Sequence, residues 1–191
     1  MPSKRRIAAA LSALVLWAVM VAMGTLPASA QFVPENEMIL AVRSGDMEAM
    51  EQGFLAGLHA NERSLRGMPV LIEAVNLGRT QMAAVLLERG ARVNMRGPDG
   101  ITALTEAARA NRPDLMRILI EAGADVDRTG QGGDTPLMIA ARLGHVAALD
   151  VLIEAGAYLN DTDRTGRTAL ILAEERRHDQ AAMRLRHAGG E

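Results

Sequence analysis

Four histidines, 23 carboxylates and no cysteine are the material available for chemistry in this chain of 191 residues. His59, His145, His178 and His187 follow no metal-ligand spacing: there is no His-Glu-x-x-His run and no cysteine pair. His145 and His178 occupy equivalent positions and read as structural residues at helix starts. The lack of thiols also excludes a thiolate nucleophile, a disulfide framework and a lipoprotein anchor. Asp161-x-Asp163-x-Thr165-Gly166 opens like a calcium loop, but the glutamate required at its twelfth position is Leu172. Asp125-x-Asp127-x-Thr129-Gly130 fails in the same way, at Pro136. Both stretches read as turns rich in Asp and Gly. Gly130, Gly132 and Gly133 lack the Lys-Ser/Thr of a phosphate cradle, and no Gly-x-Ser-x-Gly elbow occurs. Glu73, Glu106, Glu121 and Glu154 recur at repeat positions and read as surface carboxylates. No catalytic, cofactor-binding or metal-binding constellation is expected, and the chain is read as no enzyme.

What does line up is a set of contact-making side chains. Arg43, Asn76, Arg109, Arg142 and Glu175 follow one another at one constant interval, with Leu77, Leu143 and Arg176 in the next column. Met68, Ile101, Asp134 and Arg167 form a further column with the same interval. Guanidinium forks bind carboxylates directionally, so three aligned arginines could meet an acidic strip on a partner. The plainer alternative is a row of solvated arginines, because arginine is the only cation after Lys4.

Such columns exist only if the backbone repeats, and it does. Gly57, Gly90, Gly123, Gly156 and Gly189 are equally spaced, and Gly90, Gly123 and Gly156 are predicted to end a helix. A second glycine column, Gly67, Gly100, Gly133 and Gly166, keeps the same interval and marks hairpin tips. Two residues later come Pro69, Thr102, Thr135 and Thr168, where threonine can cap a helix and Pro136 can occupy the first helical position. Leu71, Leu104, Leu137 and Leu170, each followed three residues on by Ala74, Ala107, Ala140 and Ala173, make one buried helical face. Val85-Leu86-Leu87, Ile118-Leu119-Ile120 and Val151-Leu152-Ile153 make the apolar stripe of a second helix. The predicted fold is an all-α repeat solenoid of about five helix-turn-helix units, near 34–66, 67–99, 100–132, 133–165 and 166–191. The end units deviate as caps: the first keeps only Leu40-Ala41 and Gly45-Asp46, and the last carries Arg184, Leu185 and Arg186 in its second helix.

Asp134-Thr135-Pro136-Leu137, Ala140-Ala141, Gly144-His145 and Leu152-Ile153-Glu154-Ala155-Gly156-Ala157 resemble the ankyrin-repeat consensus, and the resemblance covers about residues 34 to 190. It implies a binding scaffold whose concave face, built of hairpin tips and first helices, holds another protein. The residues carried onto that face are Arg43, Met68, Asn76, Ile101, Arg109, Asp134, Arg142, Arg167 and Glu175. The histidine that often follows Thr-Pro-Leu in the family is replaced by Ile72, Thr105, Met138 and Ile171. Losing its hydrogen bonds between hairpins is expected to lower rigidity. Among the methionines, Met50 and Met116 share a core column with Leu149, whereas Met68 and Met95 fall at hairpins.

Residues 1–30 are expected to lie outside this body. Lys4, Arg5 and Arg6 precede the apolar run from Ile7 to Leu26, and Ala28-Ser29-Ala30 follows, the pattern of a signal peptide cut after Ala30. The alternative is an uncleaved inner-membrane anchor. Residues 31–191 carry a net charge of 18 − 23 = −5, which argues against nucleic acid as a partner. A periplasmic or secreted monomer with one protein partner is therefore expected. It resembles exported bacterial ankyrin-repeat proteins, which implies support of a periplasmic enzyme; immunity to a toxin, or an enzyme or small-ligand site, are the alternatives.

Overall fold

A computed structural model of the protein describes residues 35–191. The expected signal peptide and its cleavage site lie outside the described residues. Within the described residues, ten α-helices follow one another in five antiparallel pairs: α1 (Glu37–Ser44) and α2 (Met47–Leu55), α3 (Val70–Asn76) and α4 (Thr80–Glu88), α5 (Ala103–Arg109) and α6 (Pro113–Glu121), α7 (Pro136–Leu143) and α8 (Val146–Glu154), α9 (Ala169–Glu175) and α10 (Asp179–Ala188). Among the described residues no helix is long and apolar enough to cross a membrane.

Local chemistry sets where each first helix begins. The hydroxyls of Thr102, Thr135 and Thr168 accept the backbone N–H of Thr105, Met138 and Ile171, satisfying donors that a helix start leaves free. Pro69 cannot do this, and α3 starts without a side-chain cap. The second helices stop where Gly90, Gly123 and Gly156 adopt φ of +85°, +84° and +80°, a region costly for any residue with a Cβ.

The repeated positions form the core. Leu71, Leu104 and Leu137 are buried beside Ala74, Ala107 and Ala140, and the small alanines let successive first helices approach closely. Leu86, Leu119 and Leu152 are fully buried at the centre of their stripes. In the first unit Met38 occupies the leucine column, and Leu40 is half exposed. First helices pack on one another more closely than second helices do, as expected of a stack whose concave side they line.

Hydrogen bonds between hairpins survive the loss of the consensus histidine, because they come from elsewhere. Ile72 and Met138 are buried apolar replacements, while Thr105 stays within its own unit in a reciprocal capping box with Thr102. Neighbouring hairpins are tied by the amides of Asn61 and Asn94. Asn61 Nδ2 donates to the Gly90 carbonyl (3.0 Å) while its Oδ1 accepts the Arg92 N–H (2.8 Å). Asn94 repeats the pair with Gly123 (3.0 Å) and Asp125 (2.9 Å).

Candidate functional site

The ends of the first helices set one row of the concave face. Asn76 and Arg109 are the last residues of α3 and α5, Glu175 is the last of α9, and Arg142 lies one residue before the end of α7. Asn76, Arg109 and Glu175 are exposed, and Arg142 is half-buried. Beside them Leu77 and Leu143 are 43% and 40% exposed, with exposed Ala110 between them in the column. An apolar strip therefore runs next to the charged row.

The arginines of that row are already engaged within the molecule. Arg43 bridges Glu35 (2.8 Å) and Glu73 (2.6 Å), and those two carboxylates raise its pKa, Glu73 foremost through its hydrogen bond. Arg109 pairs with Glu106 through Nε (3.2 Å), and Arg142 with Asp134 (2.5 Å). The row is a set of ion pairs half sunk in the face, not a line of free cations.

The hairpin column divides by chemistry. Met68 and Ile101 are half-buried against the core, where a Cβ on Gly97 would meet the Met68 sulfur and Ile101 Cγ1 at 3.0 Å each. Asp134 and Arg167 are the polar members. Arg167 donates from Nε and Nη2 to Asp163 Oδ2 (3.0 and 2.9 Å) and from Nη1 to Glu175 (3.1 Å). Asp163 Oδ1 accepts the Thr165 hydroxyl (2.6 Å) and the backbone N–H of Thr165 and Arg167. These bonds, the Thr165 hydroxyl first, hold the Asp163 carboxyl well below the usual carboxylate range against the opposing effect of burial. Its oxygens are committed to the turn, which is why the calcium-like spacing here builds a hairpin.

Two columns carry the connections between units, and the first of them escaped the sequence reading. Asn61, Asn94, Asp127 and Asn160 recur at the repeat interval, and each accepts a backbone N–H of the next unit: Arg92, Asp125, Tyr158 and Glu191. Their register in the sequence was the available signal. The other column is Arg79, Arg112, His145 and His178, the residues before the second helices. His145 Nε2 lies 3.1 Å from the Arg109 carbonyl, and His178 Nε2 lies 3.1 Å from that of Arg142. Both histidines thus satisfy carbonyls at the ends of first helices one unit back.

Among the described residues no group of three or more His, Cys, Asp or Glu is placed to hold a metal ion. Two shallow clefts are present among the described residues: one of about 270 Å³ includes Asp150, Arg184 and His187, and one of about 300 Å³ includes Gly144, His178 and Asp179. Neither includes a residue of the concave row.

No curated protein matches the chain. A family model for ankyrin repeats, in 3 copies, matches residues 38–130 and 127–190. Ankyrin repeats are in general scaffolds for protein–protein interaction and typically without enzymatic activity. With this match over most of its length, and with five helix pairs stacked in constant register, the chain belongs to the ankyrin-repeat family.

Proposed function

We propose that this protein is an exported, non-enzymatic scaffold that holds one protein partner on its concave face and supports the activity of a periplasmic enzyme. The observation that carries the binding face is a division of labour between columns. Positions that repeat from unit to unit are buried, as at Leu71, Leu104 and Leu137. Positions that change chemistry from unit to unit, as at Asn76, Arg109, Arg142 and Glu175, lie together on one accessible strip. Residues that do not serve the stack are free to serve recognition. Export is supported by the basic, apolar and Ala-x-Ala order of residues 4–30.

The test is capture from periplasmic extract with the tagged protein beside two double variants. Arg109→Glu with Arg142→Glu reverses the charged row, and Leu77→Ser with Leu143→Ser removes the apolar strip without touching an ion pair. A partner held by the parent and lost by both variants, at unchanged helicity, supports the reading. A partner held equally by all three would move the binding surface elsewhere. Retained partner activity in the complex distinguishes support from immunity, in which that activity would be abolished.

A further inference from the structure

The asparagine ladder has one chemically different rung. Asn61 and Asn94 each make two bonds to the next unit, one as acceptor through Oδ1 and one as donor through Nδ2. Asp127, in the same register, accepts the Tyr158 N–H at 2.8 Å. Its counterpart of the Gly90 and Gly123 carbonyls is that of Gly156, the next glycine of that column. An ionised carboxylate has no proton to offer the carbonyl that the register assigns to this rung. Asn160 makes the acceptor bond alone, but to Glu191 in the last unit. Asp127 is the carboxylate rung, and it lies inside the stack, between the third and fourth units.

We propose that Asp127 is a proton-operated latch across the joint between the third and fourth units. Protonated, its carboxyl donates to the Gly156 carbonyl and completes the pair of bonds made by Asn61 and Asn94; ionised, it holds only the Tyr158 N–H. The charged groups facing it favour the protonated form. Asp125 lies on its own loop and Asp161 on the next, while Arg128 is turned to Asp125 at 3.8 Å. Burial first, then these two carboxylates, push the Asp127 pKa up, against the Tyr158 hydrogen bond. For an acid with a raised folded pKa, the stabilisation is complete below the unfolded value of about 3.9 and disappears as pH rises through the folded one. The latch therefore closes as pH falls. The joint it locks separates Arg109 from Arg142, so closing it fixes the spacing of the two arginines on the proposed binding strip.

The experiment is amide hydrogen exchange and carbonyl NMR of the protein and of Asp127→Asn from pH 7 to pH 4. In the parent, the Gly156 carbonyl resonance is expected to titrate together with the Asp127 carboxyl. Amides at Ala157 and Tyr158 should exchange about fivefold more slowly, relative to the variant, at the acid end than at pH 7. The variant, with a permanent donor, should show the closed pattern throughout. Asp161→Asn supplies a second test, because removing that charge should move the transition to lower pH. A Gly156 carbonyl that ignores the Asp127 titration, or the same exchange profile in parent and Asp127→Asn, would overturn the proposal.

Discussion

Arg142 and Asp134 meet at 2.5 Å on the concave face. Sequence register places them in separate columns of contact residues, one at the end of a first helix and one at a hairpin. In the folded chain each neutralises the other, and Asp134 is the more deeply covered partner, with a side chain 13% exposed against 29% for Arg142. An acidic partner that uses Arg142 must compete with a carboxylate already in place.

That competition yields a binding prediction. Asp134→Asn leaves a side chain of the same shape but removes the internal anion. Affinity for a partner that contacts Arg142 through a carboxylate should rise severalfold, while stability falls by about 0.5–1 kcal/mol. Titration calorimetry of the complex and urea denaturation of the free protein measure the two effects. Lower affinity at unchanged fold would mean that Asp134, not Arg142, makes the contact.

The amide ladder predicts opposite outcomes for two substitutions at equivalent positions. Asn94→Ala removes bonds to Gly123 and Asp125 and should cost about 1–2 kcal/mol, reduced by their solvent exposure. Asp127→Asn adds a donor where the register offers a carbonyl and should gain about 1 kcal/mol near neutral pH. Urea midpoints of both variants against the parent decide the matter, and equal losses would remove the ladder as an account of the joints.

How much of this was legible in sequence depended on whether a role stays within one unit. Leu104 with Ala107, the cap at Thr135 and the turn at Gly123 are each dictated by neighbours three or four residues away, and periodicity exposes them. The pairing of Arg43 with Glu73 reaches from the first unit to the second, and His178 reaches back to the Arg142 carbonyl of the unit before it. These depend on how one unit sits over the next, which side-chain type alone does not specify. The missing consensus histidine is silent on these joints for a related reason: its absence says nothing about the ties that Asn61 and Asn94 make through another column.

Close stacking at the helix-turn-helix loops makes Gly78 a sensitive position. It adopts φ +64°, and a Cβ there would fall 1.9 Å from Arg112 Nη2 of the next unit. Gly78→Ala should therefore cost about 1–2 kcal/mol in backbone strain, plus the displacement of the Arg112 guanidinium. The two parts separate in a double-mutant cycle. In an Arg112→Ala background the displacement vanishes and only the strain remains, so the losses should be less than additive. Full additivity would show that Arg112 moves aside freely.

The Asp163 turn predicts the acid limit of the fold. Its carboxyl is held low by the Thr165 hydroxyl foremost, then by backbone donors and Arg167, so the folded pKa lies below the unfolded value of about 3.9. With that sign, the stabilisation is complete above the unfolded pKa and is lost as pH falls toward the folded one. The parent should lose thermal stability steadily below pH 4, whereas Asp163→Asn should start lower at pH 7 and show a flatter decline. Thr165→Val removes the leading hydrogen bond and should shift the acid loss of the parent to higher pH. Melting curves from pH 2.5 to pH 7 read all three, and parallel profiles for parent and Asp163→Asn would exclude this carboxylate as a determinant of acid sensitivity. The slope belongs to Asp163 alone only after Asp127 is accounted for, because that carboxyl acts in the opposite direction over an adjoining range. Repeating the series in an Asp127→Asn background isolates it.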